Sequence, residues 1–316
     1  MIREAGAAVG EVDQHALEAI FGKRVRFAEP LSRHTSFRIG GPADVWVEVA
    51  DAEEIRRVQA IAAAADLPLF ILGGGTNLLV SDRGVRGVVL HMGRPMAALD
   101  WRANGAGTHV RAGAAVPFKR MVNEAIARTL AGLEFAEGIP GTVGGGLLMN
   151  AGAFGGEISD VIEWVEGVDA HGAVQRLPRT ALRFGYRQFD LPKGFIVTHA
   201  EFLLHPGEPA TIIAKRTTAK RRREAHQPLG YPNAGSIFKN PPGEFAGRLI
   251  EAAGLKGYRH GGAMVAEQHA NFIVNVGDAT AADVRAVMEE TARRVWEMRA
   301  IRLQPEIKLV GDWSTA

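Results

Sequence analysis

GIPGTVGGGLLMNAGAFGG, residues 138–156, packs eight of the chain's 38 glycines into nineteen residues without a single charge. About 20 apolar residues suffice to cross a bilayer, so the run could be taken for a membrane span. Eight glycines, Pro140 and Asn150 speak against that, because they weaken a helix and leave polar groups without partners in lipid. The run reads better as backbone that must come very close to something else. Glycine serves where a Cβ would collide or where φ is positive, and successive free N–H groups suit an anion such as pyrophosphate. A tight, buried turn cluster with no ligand is the alternative, and composition alone leaves both open.

Outward from this stretch the chain reads as three units. Just upstream, residues 110–115 form a strand, and Pro117 suits the first turn of a helix. That helix turns Met121, Val122, Ala125, Ile126 and Thr129 inward and stops at Gly132. Just downstream, 161–169 and 174–177 make a hairpin around His171 and Gly172, and 195–204 is a further strand. In the first unit Val45, Val47 and Val49 alternate with Asp44, Trp46 and Glu48, the pattern of a half-buried strand. Asp51 and Glu54 form a capping box for a helix whose inner face is Ile55, Val58, Ile61, Ala62 and Ala65. Residues 67–72 are a short strand that runs straight into LGGGTNLLVSD. Strand, helix, strand and glycine loop make a βαβ unit with the loop at the carboxyl end, where open α/β sheets bind ligands. Residues 87–91 add a strand, and 12–21 a weak helix at the start.

The last hundred residues read as a small α/β unit. A helix over 245–253 stops at Gly254, and 271–276 is a strand. Thr280 and Asp283 cap a helix with Val284, Val287, Met288, Thr291, Val295 and Met298 at helical spacing, and 303–310 is a final strand containing Pro305 and Glu306. Between the second and third units, 206–227 is basic and helical. Its LysArgArgArg run at 220–223 reads as a solvated face linking two domains, with a phosphate grip as the alternative.

Composition excludes several classes. Of 316 residues 47% are apolar and 23% charged, as in ordinary soluble proteins. A net charge of +2 and a pI near 9.0 are no footprint of a nucleic-acid binder. With no cysteine, disulfides, thiolate metal sites and cysteine nucleophiles are excluded. Residues 1–22 mix acids and bases without an apolar core, so no secretory signal is expected, and the expected location is the cytoplasm. The histidines show no metal-ligand spacing near acids, and no metal is expected.

Three constellations carry chemistry. The loops at 73–75 and 138–156 match neither GxGxxG nor GxxxxGK[ST]. Together they point to a large dinucleotide between two subdomains, with Thr76, Asn77 and Thr142 offering side-chain hydrogen bonds. In YPNAGSIFKNP, residues 231–241, Ser236 sits at a rigid turn-to-strand junction and reads as a turn serine when taken alone. Lys239 and Asn240 beside it suit an anionic substrate. Glu306 lies in an apolar run, where an unpaired carboxylate is costly and functional sites are enriched; a solvated strand end is its plain alternative. Arg187, in FGYRQF, is equally open between a surface pair and a site residue.

Eight landmarks in order, TSFRIGGPAD, LGGGTNLLVSD, GIPGTVGG, NAGAFGGEI, GYR, NAGSIFKNP, AGLKGYRHGG and LQPEIKLVG, resemble the UDP-N-acetylenolpyruvoylglucosamine reductase family (MurB) over about residues 35–310. The resemblance implies an α+β fold: two FAD-binding subdomains of the vanillyl-alcohol-oxidase (PCMH) type, residues 1–95 and 96–205, and a C-terminal α/β substrate domain, 206–302. A last strand in about 303–316 is expected to pack back on the first subdomain. It further implies non-covalent FAD, with no His or Cys placed for covalent attachment, NADPH as reductant, and a UDP-sugar substrate in peptidoglycan synthesis. No nucleic acid or membrane partner is expected, and the chain would be a monomer or weak dimer.

Carried over by motif, Gly73, Gly74, Gly75, Thr76, Asn77, Gly138, Pro140, Gly141, Thr142, Gly144, Gly145, Asn150, Gly152, Ala153 and Ile158 would hold FAD. Ser236 would be the proton donor and Arg187 and Glu306 its catalytic partners. Tyr186, Lys239, Asn240, Lys256 and His269 would contact substrate. Two departures stand out: the segment between Arg187 and Ser236 is too short for the family's tyrosine-bearing clamp loop, and Gln188-Phe189 replaces the usual x-Ser after Tyr-Arg. The rival readings are another FAD oxidoreductase of the same fold and a non-catalytic nucleotide-binding protein.

Overall fold

The computed structural model describes residues 14–105 and 107–314. The N-terminal residues 1–13, read above for a leader and a helix start, lie outside them, and the first described helix is Gln14–Phe21.

The first sheet has four strands. Val25–Pro30 runs antiparallel to Pro42–Val49, which is parallel to Val85–Met92, which in turn is parallel to Leu69–Leu72. The helix Ala52–Ala64 buries Ile55, Val58 and Ala62 against Val45, Val47, Val49, Val88 and Leu90, Ile55 and Val58 each contributing about 1.5–3 kcal/mol. Alternation misjudged Trp46, which is buried, not half-exposed. The strand is an inner one, paired on both sides, and its other face is covered by Leu31, Leu72, Val80 and Val89. The expected capping box is half made. Asp51 accepts from Glu54 N, but the Glu54 carboxylate accepts from Ala50 N at 2.7 Å and from Arg24 Nη2 at 2.6 Å.

The second sheet is antiparallel, in the order Val174–Pro178, Ile162–Val168, Ile196–Pro206, Gly107–Gly113, Leu99–Asn104. Helix Phe118–Ala127 buries Phe118, Met121, Val122 and Ala125 in its core. This helix stops before Gly132. Thr129 takes φ 58°, and Leu130–Ala131 leaves to pair with His205 and Pro206, so tertiary strand pairing ends it. Within the glycine-rich stretch, Val143–Leu148 is a short helix despite three glycines. Thr142 caps it by accepting from Gly145 N at 3.3 Å, and Gly144 N donates to Ala114 O at 2.9 Å.

The third sheet orders Asn233–Ser236, Phe272–Asn275, Ala263–Val265 and Arg259–His260, all antiparallel. Helix Ala281–Arg299 opens on a complete capping box, Thr280 with Asp283, and packs on this sheet, although Met298 is exposed. Phe37, Ile39 and Leu79, from far upstream, belong to the same core. The last strand is shorter than its apolar pattern. Lys308–Val310 pairs in parallel with Leu78–Val80, while Pro305 makes only an isolated bridge to Phe238. Proline has no N–H to extend a ladder. Among the described residues, no helix is long and apolar enough to cross a membrane.

Candidate active site

The two glycine loops lie against each other. A Cβ on Gly74 would sit 2.7 Å from Gly141 Cα, and one on Gly73 would sit 3.0 Å from Thr142 Oγ1 and 3.7 Å from Gly145 Cα. From the other side, a Cβ on Gly141 would meet Thr76 Oγ1 at 2.8 Å. Side chains here would wedge the units apart. Among the described residues, the backbone N–H groups of Gly74, Gly75 and Thr76 donate to no protein acceptor. Three successive free donors on a loop form a nest for an anion, and a dinucleotide's pyrophosphate fits them. Beside the loops opens a pocket with a cavity volume of about 70 Å³, open to solvent on one side and walled mainly by apolar side chains including Ile71, Met92, Phe195 and Val197.

At the far end of the first loop stand Arg187, Glu306 and Ser236. Arg187 occupies the tip of the hairpin Arg183–Gly185/Gln188–Asp190 with φ 57°, a conformation that costs a non-glycine residue about 1–3 kcal/mol. Its Nε donates to Glu306 Oε1 at 2.8 Å, across 119 residues of sequence. Neither Nη group has a hydrogen-bond partner among the described residues. Burial pushes the Glu306 carboxyl above its ordinary pKa, and the Arg187 and Lys239 cations pull it back only in part. Two bonds hold the Glu306 backbone: its N–H donates to Ile237 O at 2.8 Å, and its carbonyl accepts from Asn77 Nδ2 at 3.1 Å; Lys308 N, two residues on, donates to Asn77 O at 3.0 Å. Ser236 directly precedes Ile237. Gly235 at φ 77° turns the chain there, with its N–H on Asn233 Oδ1, and Ser236 Oγ has no hydrogen-bond partner among the described residues.

The structure spreads the other sequence-derived candidates over distinct tasks. Asn150 is fully buried; its amide donates to Gly185 O at 3.2 Å and accepts from Ser159 N at 3.0 Å, so it fastens the Arg187 hairpin to the glycine stretch. Gly152 and Ala153 pair with Glu157 and Gly156, and Ile158 lies fully in the second core. Pro140 is exposed. Tyr186 is exposed, with the Arg187 guanidinium 5.3 Å from its ring centre. Asn240, Lys256 and His269 gather round the helix Ala246–Ala252. Asn240 Oδ1 accepts from Ala246 N at 3.0 Å, Lys256 pairs with Glu251 at 2.7 Å, and His269 Nδ1 accepts from Asn271 N. Among the described residues none of these three bonds to Arg187 or Glu306.

Arg223 escaped the sequence reading. In the basic run only Arg223 is half-buried. Its Nε donates to Glu137 O at 2.7 Å, its guanidinium lies 5.5 Å from the Phe154 ring centre, and its side chain closes on Gly138. Burial lowers its pKa, and the nearby positive charge of Arg187 lowers it further against Glu137. Spacing held the signal: Ile212, Arg216, Ala219 and Arg223 share one helical face, and Ile212 and Ala219 are buried.

Two units docked through glycine loops, with free backbone donors between them and an Arg–Glu pair beside a serine at one end, have the layout of a dinucleotide-dependent enzyme. The FAD binding domain family matches residues 43–178, and the C-terminal domain family of UDP-N-acetylenolpyruvoylglucosamine reductase matches residues 227–310. The chain is 48% identical over 291 residues to UDP-N-acetylenolpyruvoylglucosamine reductase 2 of Symbiobacterium thermophilum, covering 91% of this chain and 92% of that protein. Against the Syntrophus aciditrophicus reductase identity is 44%, covering 94% and 95%. The crystal structure of the Thermus caldophilus reductase (MurB) superposes with a TM-score of 0.78 at 36% identity, covering 91% of this chain and 99% of that one. The chain is an FAD-dependent oxidoreductase and belongs to the UDP-N-acetylenolpyruvoylglucosamine reductase family.

Proposed function

We propose that the chain reduces the enolpyruvyl ether of UDP-N-acetylglucosamine enolpyruvate to UDP-N-acetylmuramate, a step of peptidoglycan synthesis, with NADPH as reductant. The chemistry FAD supplies when bound is hydride transfer, from NADPH to C3 of the enolpyruvyl group. The chain's residues manage the charge and the proton. Hydride arrival at C3 leaves an electron pair at C2 that spreads into the carboxylate as an aci-carboxylate. The two free Nη groups of Arg187 suit that dianionic group, since guanidinium meets carboxylate with paired hydrogen bonds. Glu306 holds Arg187 in place, and Lys239 adds positive charge beside it. Ser236 Oγ, without a hydrogen-bond partner among the described residues, donates the proton to C2. A serine hydroxyl is a weak acid, but the carbanion-like C2 is a strong base.

The observation that carries this reading is the Arg187–Glu306 pair lying against the Ser236–Ile237 backbone at the end of the dinucleotide loop. Ser236→Ala tests it by stopped flow. Flavin reduction by NADPH should run at the wild-type rate, while reoxidation by the enolpyruvyl sugar should fall by about 10²–10⁴-fold. Ser236→Cys should recover part of that loss. Reoxidation at the wild-type rate in the alanine variant would make Ser236 a turn residue and sink the assignment.

A further inference from the structure

The first glycine loop has a direction. It leaves the pocket at Gly73 and ends at Asn77, whose amide holds the carbonyl of Glu306. Residues 73–77 span at most about 14 Å, with the free N–H nest between the two ends. If hydride chemistry occurs beside Glu306, the flavin ring lies at the Asn77 end. A pyrophosphate on the nest then sends the adenosine half into the pocket at the Gly73 end.

That pocket offers little hydrogen bonding. Of the side chains lining it only His91 and Thr142 are polar, and Thr142 Oγ1 already accepts from Gly145 N. Its walls are those of a ligand site: apolar, with few polar groups to fix orientation. His91 is held rigidly. Nδ1 lies 2.9 Å from Leu72 O, so it must donate, because a carbonyl only accepts. The ring stacks on Trp46 at 4.9 Å between centroids, and Trp46 stacks on His34 at 4.0 Å. His34 is pinned in turn by Glu29 at 2.8 Å. With Nδ1 protonated, neutral His91 presents Nε2 as a bare acceptor, and Nε2 has no partner among the described residues.

We infer that His91 Nε2 accepts a hydrogen bond from the adenosine half of FAD and so selects the dinucleotide over the mononucleotide. This rests on the flavin ring lying beside Glu306. The groups facing the imidazole keep it neutral: burial lowers its pKa most, His34 and Arg26 lower it further, and the Leu72 carbonyl and Glu48 oppose them. Protonation at acid pH would remove the acceptor.

Flavin binding without substrate tests this, so the result is independent of the proposed reduction. Holoenzyme is challenged with excess FMN, separated from free flavin, and its FAD and FMN content and affinities measured. His91→Phe keeps the stack on Trp46 and deletes the acceptor. Its FAD affinity at neutral pH should fall about three- to tenfold, the worth of one neutral hydrogen bond, with FMN affinity unchanged. Wild-type FAD affinity should drop as pH falls below the ordinary histidine range, and the variant should show no such drop. Unchanged FAD affinity, equal losses of FAD and FMN, or a flat wild-type pH profile would each overturn the assignment. Should the phenylalanine variant fail to fold, His91→Leu, which also lacks an acceptor, serves the same comparison.

Discussion

Glu306 shows how a single residue trades stability for chemistry. Burial raises its pKa more than Arg187 and Lys239 lower it, so the folded chain holds that proton to a higher pH than the unfolded chain. The sign follows from linkage: a group with a raised folded pKa contributes stability below its unfolded value and loses it as pH rises through the folded value. Glu306→Gln keeps an acceptor for Arg187 Nε and abolishes the titration. Its melting temperature should therefore gain on wild type as pH rises from about 4 through neutrality, as read by circular dichroism across a pH series. A constant difference between the two proteins would show that the carboxyl is not destabilised by burial. Arg187 carries a related cost in its left-handed backbone, a strain that persists where the surroundings hold it. Those surroundings include Asn150, whose amide ties down Gly185.

Among the elements, the contact between the glycine loops sets the tolerance for added atoms. Gly74→Ala would place a Cβ 2.7 Å from Gly141 Cα, backbone against backbone, and must open the interface; Gly145→Ala meets only Thr142 Oγ1 at 3.5 Å. The first should strip most of the flavin, seen as a fall in the ratio of absorbance near 450 nm to that at 280 nm, while the second should retain it. Full flavin occupancy in Gly74→Ala would mean that the loops part freely and that the close approach is not required. Much of this was readable from residue order: both loops, the capping box Thr280–Asp283, and the alternation of Val45, Val47 and Val49 all stand in the folded chain. What stayed hidden depended on neighbours distant in sequence. Glycines 144–146 argue locally against helix by about 1 kcal/mol each, but Gly144 seated on Ala114 favours it. Arg223 looked like its neighbours at 220–222 because only packing against Glu137 and Phe154 distinguishes it. Thr129 ended its helix early because Leu130 finds a strand partner beside Pro206.

On the scale of the whole molecule, the two glycine loops are anchored in separate hydrophobic cores: Leu72, beside the first loop, belongs to one, and Val143 and Leu147, in the second stretch, to another. A ligand that touches both loops stabilises their docking as well as each unit. FAD at about 100 times its dissociation constant should add about 2.7 kcal/mol, a rise of several degrees in the calorimetric melting temperature. Gly74→Ala should abolish most of that rise. Equal melting temperatures for stripped and FAD-saturated wild type would show that the bound state does not join the units. The parallel pairing of Lys308–Val310 with Leu78–Val80 also sets a timetable for synthesis. Asn77 leaves the ribosome 229 residues before Glu306, which at ~5–20 residues per second is roughly 10–50 seconds. Throughout that interval Leu78–Val80 is an open strand edge, the kind that recruits wrong partners, and the nascent chain lacks Glu306 and so the carboxylate that holds Arg187. Chains that stall in this window are both inert and adhesive, so slow translation across the last third of the message should raise aggregation before it lowers specific activity.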